Sequence, residues 1–203
     1  MALHLKSHLP ESSFAMIVNL LNQDHLDVII KNERKTRHGD YRKLPNGRHQ
    51  ITINNNLNTY RFLITLIHEI AHYEAFKSFG RAIKPHGLEW KRTFQHLMLP
   101  FIHPDIFPNH LLPLLARHFK NPKASSDSDI VLSAALKKYD PPSDLVFVSH
   151  LALDTVFMMK NKRVFKRGQV RRTRIECLEI VSKKTYLFHP NTEVEVVESG
   201  VQK

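Results

Sequence analysis

Apolar residues fall at positions 63, 66, 67, 70 and 71, the i, i+3, i+4, i+7, i+8 spacing of a helix that turns one stripe toward a core. Asn58 or Thr59 ahead of this run can cap it and Gly80 after it can end it, so the pattern predicts a helix over about 60–79. Before the helix the period changes. "LDVIIKN" reads as a strand, and "TRHGDYRKLPNGRHQITINNN" as two strands joined at Pro45, Asn46 and Gly47, where proline fixes φ and the next two residues tolerate positive φ. Together these predict a small antiparallel sheet. Further helices are expected over about 11–22, in "LEWKRTFQHLML" up to Pro100, in "PNHLLPLLARHF" and in "IVLSAALKKY".

From about Leu145 the pattern shifts to short β-branched and aromatic runs, "LVFVSHL", "DTVFMM", "RVFKRG", "VRRTRIECLEIV", "TYLFHP" and "EVEVV", with turn residues between them. The expected class is α+β. Residues 1–120 form the main domain, 121–143 a linker with a short helix, and 144–203 a small β-rich, basic unit. The polar tract "KNPKASSDSD" and the breaker "DPPSD" mark the connection.

Composition and the N-terminal segment add four constraints. With 42% apolar and 24% charged residues the chain has ordinary globular proportions, and no uninterrupted apolar run approaches the roughly 20 residues a membrane span needs. The N-terminal segment lacks a basic n-region and a small-residue cleavage site, so it reads as an amphipathic helix and the expected location is cytoplasmic. The single cysteine, Cys177, excludes an intramolecular disulfide and a cysteine-ligated zinc cluster within one chain. A formal net charge of +11 favours polyanionic partners without choosing among them.

The long helix carries "HEIAH". Residues four apart share a helix face, so His68 and His72 can bind one metal ion, and they point about 40° apart, away from the apolar stripe. Glu69, beside the first ligand, can hold and deprotonate a water. A catalytic zinc needs a third protein ligand and an open position. His86 is the best candidate, with 13 residues between it and His72, Gly87 giving the backbone freedom and Trp90 and Phe94 anchoring the next helix. His96 is a rival ligand. Glu74 and Glu89 receive no role. The set favours one Zn2+ per chain, with manganese, cobalt and nickel as alternatives, and hydrolysis of peptide bonds in a protein or peptide substrate. The bland alternative is two polar histidines on a half-buried helix.

"GDYR", "ITINNNLN", "FLITLIHEIAH" and "HGLEWK", over roughly residues 25–115, together resemble the SprT-like family of zinc metallopeptidases, which includes the Spartan protease that degrades proteins crosslinked to DNA. The resemblance implies a minimal zincin fold with His68, His72 and His86 as zinc ligands and Glu69 as the catalytic carboxylate. Many family members carry a cysteine-ligated zinc ribbon at the C-terminus. This chain has only Cys177 there, so residues 144–203 read as a ribbon-like unit without metal, packed through Phe157, Phe165, Leu178 and Phe188.

Residues 160–174, "KNKRVFKRGQVRRTR", hold no acid. Two strands joined near Gly168 would set several of Lys162, Arg163, Lys166, Arg167, Arg171, Arg172 and Arg174 on one face, suited to DNA phosphates without sequence specificity. Phe165 is either a stacking platform for a base or part of the core, and the charges are either a DNA contact or a solvated strand face. Three readings therefore compete: an endopeptidase with substrate extended along an edge strand such as "ITINNN", a non-catalytic nucleic-acid-binding protein with a structural or vestigial metal site, and a protease recruited to DNA, which joins both and is what the family resemblance implies.

Overall fold

A computed structural model describes residues 3–22, 25–34 and 37–197. The chain forms two compact units, residues 1–140 and 141–203, and the secondary structure is α+β. No helix among the described residues is long and apolar enough to cross a membrane.

In the first unit, a short 3-10 turn leads into α1 (Phe14–Leu21), followed by β1 (Leu26–Lys31), β2 (Gly39–Lys43) and β3 (His49–Asn54). The β2–β3 hairpin turns as its proline, asparagine and glycine require: Gly47 has φ 83° and donates to Leu44 O at 3.0 Å. The sheet is not wholly antiparallel, however. Its order is β1-β3-β2, with β2 antiparallel and β1 parallel to β3. The chain leaves β1, crosses over β3 and returns on its far side, which places β1 and β3 in the same direction. β3 is thereby central and almost wholly buried, so "ITINNN" is not an edge strand. The free edge next to α2 belongs to β2.

Helix α2 (Thr59–Phe79) lies against β2 and β3. Asn58 caps it, its side chain accepting from Arg61 N at 2.9 Å, and Gly80 ends it at φ 71°. The predicted stripe is buried: Leu63, Leu66, Ile67, Ile70 and Ala71 are all inaccessible. Helix α3 (Leu88–Met98) packs on α2 through Trp90 and Phe94. Helices α4 (Leu112–Phe119) and α5 (Ile130–Lys137) complete the layer.

The stretch expected as a linker with a short helix, 121–143, contributes α5 to this first core. Leu132 and Leu136 are fully buried. Polar ties secure the same segment: Asn58 Nδ2 donates to Leu136 O at 3.0 Å, and the buried Arg61 donates to Asp127 and to Ser133 O. Asp127 also lies 2.6 Å from His38 Nε2. Burial alone would raise the Asp127 carboxyl, but the bond to His38 and the charge of Arg61 outweigh it and hold the group at about 2.

The second unit is a six-stranded antiparallel sheet in the order β4-β9-β5-β6-β7-β8, comprising β4 (Leu145–Phe147), β5 (Val156–Met158), β6 (Val164–Arg171), β7 (Arg174–Glu179), β8 (Thr185–Phe188) and β9 (Glu193–Val196). Phe157, Phe165 and Phe188 meet on one face with centroids 4.9–5.7 Å apart. Leu178 does not join them. On β7 it alternates with the buried Cys177 and Glu179 and takes the opposite face. The β6–β7 turn falls at Arg172, φ 54°, not at Gly168. Gly168 sits at a bulge inside β6, where a Cβ would come within 2.8 Å of Glu176 O.

If α5 belongs to the core, Leu136→Ala should destabilise the first unit by about 2–5 kcal/mol in urea unfolding. A solvated connector would lose under about 0.5 kcal/mol.

Candidate metal centre

The three histidines singled out in the sequence converge. His68 and His72 project one turn apart from α2, and His86 enters from the loop between α2 and α3. Their Nε2 atoms form a triangle with sides of 3.2 Å (His68–His72), 3.0 Å (His72–His86) and 3.2 Å (His68–His86). Three nitrogens at 2.0–2.1 Å from a tetrahedral zinc would lie about 3.3–3.4 Å apart, so the triangle has nearly the dimensions the ion demands. Among the described residues this is the group of histidine, cysteine and carboxylate side chains placed to hold a metal. His96 is exposed and outside it.

Protonation agrees with geometry. Burial, then the neighbouring imidazoles, drives His68 down to about 2; burial and His86 take His72 down to about 3; burial lowers His86. All three are neutral near pH 7, the form that ligates. Trp90, fully buried, lines the back of the triad with ring centroids 4.6–5.1 Å from the three imidazoles.

The loop meets its task differently from the expectation. It is His86 itself that adopts the left-handed conformation, φ 58°, while Gly87 has φ −69°. Gly87 is needed for space: its N–H donates to Lys84 O at 2.8 Å, and a Cβ there would lie 2.9 Å from the same oxygen. The sequence signal for a special residue was correct, but one position late.

Glu69 is buried beside the triad and faces β2. A Cβ on Gly39 would come within 2.6 Å of Glu69 Oε1 and 2.9 Å of its Cγ. Glycine at 39 therefore makes the room in which the carboxylate sits, a requirement not legible from the motif. Burial, reinforced by Asp40 and opposed by Arg34 and Arg37, lifts the Glu69 carboxyl to about 8. The triad and Glu69 open onto a cleft of about 760 Å3, walled by β2, the loop before it, the His86 loop, and Phe94, His118, Ser125 and Asp127. His118, buried, is steadied by Asp129 Oδ2 3.2 Å from its Nδ1. Sequence reasoning missed the wall from 118 to 127 because its residues lie on separate elements with no periodic spacing.

Residues 11–105 match the model of the SprT-like family. That SprT-like region holds β1–β3, the triad, Glu69, Trp90 and Phe94, whereas the cleft residues His118, Ser125 and Asp127 lie beyond the match. No curated protein and no solved structure matches the chain.

The basic residues of the second unit are dispersed. Arg163 donates to Glu179 at 2.6 Å and covers the rings of Phe165 and Tyr186; Lys166 pairs with Asp154 at 2.7 Å and Arg171 with Glu176 at 3.4 Å. Arg167 donates to Gly168 O at 2.8 Å. Lys162 lies in the β5–β6 turn, and Arg172 and Arg174 at the β6–β7 turn. Eight residues of β6 separate these turns, about 26 Å at 3.3 Å per residue, so the run is spread along the strand, with Arg171 directly opposite Arg174 at one end. Phe165 is in the core, 2% exposed.

Alanine at His68, His72 or His86 should each lower zinc affinity more than about 100-fold, beyond the loss typical of a partner behind a ligand. Competition with a chelating dye on tag-free protein reads it, and affinity unchanged by any one substitution removes that residue from the set.

Proposed function

We propose that the SprT-like region is a zinc-dependent endopeptidase. The observation that carries the reading is the near-tetrahedral convergence of three imidazole nitrogens, in an open cleft, next to a carboxylate for which the neighbouring strand leaves a fitted space. His68, His72 and His86 would hold the ion. When bound, zinc supplies a Lewis acid for the scissile carbonyl and makes water more acidic.

Glu69 takes the proton from the attacking water and delivers it to the leaving amine nitrogen. A carboxyl lifted toward neutrality by burial suits both halves of that task, since it must accept a proton and release it at the same pH. Gly39 keeps Glu69 at its post. The free edge of β2 runs past the same carboxylate, and an extended peptide can add to it as a further strand, its main chain paired and its side chains alternating between cleft and solvent. Main-chain recognition of this kind favours exposed or unfolded segments of many proteins.

The reading of a purely structural metal fits less well. Structural zinc sites are closed by four protein ligands, whereas this triad faces a cleft. Recruitment to DNA is a separate proposal for the second unit, and after the ion pairs are taken into account it rests on Lys162, Arg167, Arg172 and Arg174, of which the last two lie together at the β6–β7 turn.

Glu69→Gln should retain zinc and lose proteolysis by about 100- to 10,000-fold; full activity in that variant ends the mechanism. Gly39→Ala should show the same split, because the added methyl displaces the carboxylate without touching a ligand. Replacing Arg172 and Arg174 by alanine should weaken binding to duplex DNA and reduce the salt slope by about 2, with zinc content unchanged. Equal affinity at low salt would remove the turn from consideration.

A further inference from the structure

Arg34 follows β1 and lines the cleft that Glu69 occupies. Its guanidinium is fixed: Nε donates to Asn54 Oδ1 at 2.8 Å, one Nη to Thr52 Oγ1 at 2.9 Å and the other to Thr52 O at 3.3 Å. Thr52 and Asn54 belong to the central strand and are each 1% exposed. Asn54 in turn donates from Nδ2 to Arg34 O at 3.2 Å and Arg37 O at 2.9 Å, so the strand holds the backbone on both sides as well as the side chain.

Every acceptor in this arrangement is neutral. Three of the five N–H groups of the guanidinium are used, which leaves two for a ligand. The acids that line the cleft are otherwise engaged. Asp40 pairs with Arg37 at 3.1 Å, and Asp127 with Arg61 and His38. Glu69 is the remaining one, buried against Gly39 on β2. Across the cleft, Arg81 and Lys84 add two exposed cations on the His86 loop, with no ion pair among the described residues. A cation that lines a cleft, is locked into a rigid orientation by buried neutral groups and keeps two N–H groups unused has the form of a carboxylate receptor.

We propose that Arg34 is a specificity-determining residue which selects substrates carrying an Asp or Glu side chain on the part of the segment that lies beside Gly39. This deepens the endopeptidase reading and rests on it. The guanidinium takes the acidic side chain through its free N–H groups while the substrate main chain pairs with the edge of β2. Because the fork is already ordered, little side-chain entropy is lost when the carboxylate arrives. Arg81 and Lys84 supply a positive field that draws acidic segments toward the cleft.

The test uses the full chain loaded with zinc and fluorogenic decapeptides that differ only by Glu, Gln or Lys at one position, walked along the sequence. Binding of the same peptides to the Glu69→Gln variant, read by anisotropy, needs no turnover. At one position the Glu peptide should be preferred over the Gln peptide about 10- to 100-fold, as expected for a hydrogen bond to a charged group. Arg34→Ala should bring that ratio close to one. Arg34→Glu should turn the preference toward the Lys peptide, a result that a misfolded loop cannot imitate.

Equal cleavage of the Glu and Gln peptides at every position would overturn the inference and leave the peptidase reading standing. No cleavage of any peptide, with Arg34-dependent binding of the Glu peptide retained, would do the reverse. If a single-stranded oligodeoxynucleotide binds in an Arg34-dependent manner and the Glu peptide does not, the site is one for phosphate and the proposal fails.

Discussion

Between Gly39 on β2 and the carboxylate of Glu69 on α2 there is no room for a methyl group. That contact fixes how closely the helix approaches the sheet, and the rest of the first unit is consistent with that distance. Glu69 can be buried without a clash only because the strand lacks a side chain where the two meet. Once the helix is seated, its apolar stripe meets β3 and its histidines come out beneath β2, one turn apart, facing the loop that brings His86. Trp90 from α3 then closes the back of the triad. Core packing and site geometry follow from one interhelical and one helix–sheet contact.

Polar groups inside this unit are costly to bury without partners, and the observed pairings account for much of its architecture. Asn54, Thr52 and Arg34 tie the central strand to the segment before β2. Arg61, at the start of α2, reaches the Asp127 carboxylate and a carbonyl of α5. Asn58 performs two jobs, capping α2 through its oxygen and binding the C-terminal end of α5 through its amide. A polar sequence between α4 and α5 is thus anchored by its aspartates, and the helix after it fills the core with leucines.

The parts legible in the sequence are those encoded by local period. The 21-residue α2 appeared with its cap and its glycine stop, and the i, i+4 spacing of His68 and His72 is enough to put them side by side. The β2–β3 hairpin was equally plain. The direction of β1 was not, because alternation in a strand reports which face is buried and is the same for either direction. The segment 121–129 looked like a connector since composition cannot distinguish a solvated aspartate from one that meets a buried arginine 66 positions away. Gly168 is ambiguous for a similar reason: glycine marks turns and bulges alike, and here the bulge won. The basic run 160–174 is continuous only along the chain. Folding spreads it along one strand and the turns at its two ends and pairs several members with acids that lie outside the run.

The left-handed conformation of His86 has an implication for order in time. The spacing of His68 and His72 is set as soon as α2 forms, since both ride on one rigid element. His86 must be carried in by a loop whose backbone visits a sparsely populated region at that residue. A metal ion held by His68, His72 and His86 would act as a cross-link, limiting the conformations open to the 13 residues between His72 and His86 much as a covalent bridge restricts the segment it spans. The helix supplies a half-built cradle, and the loop that brings His86 would serve as its latch.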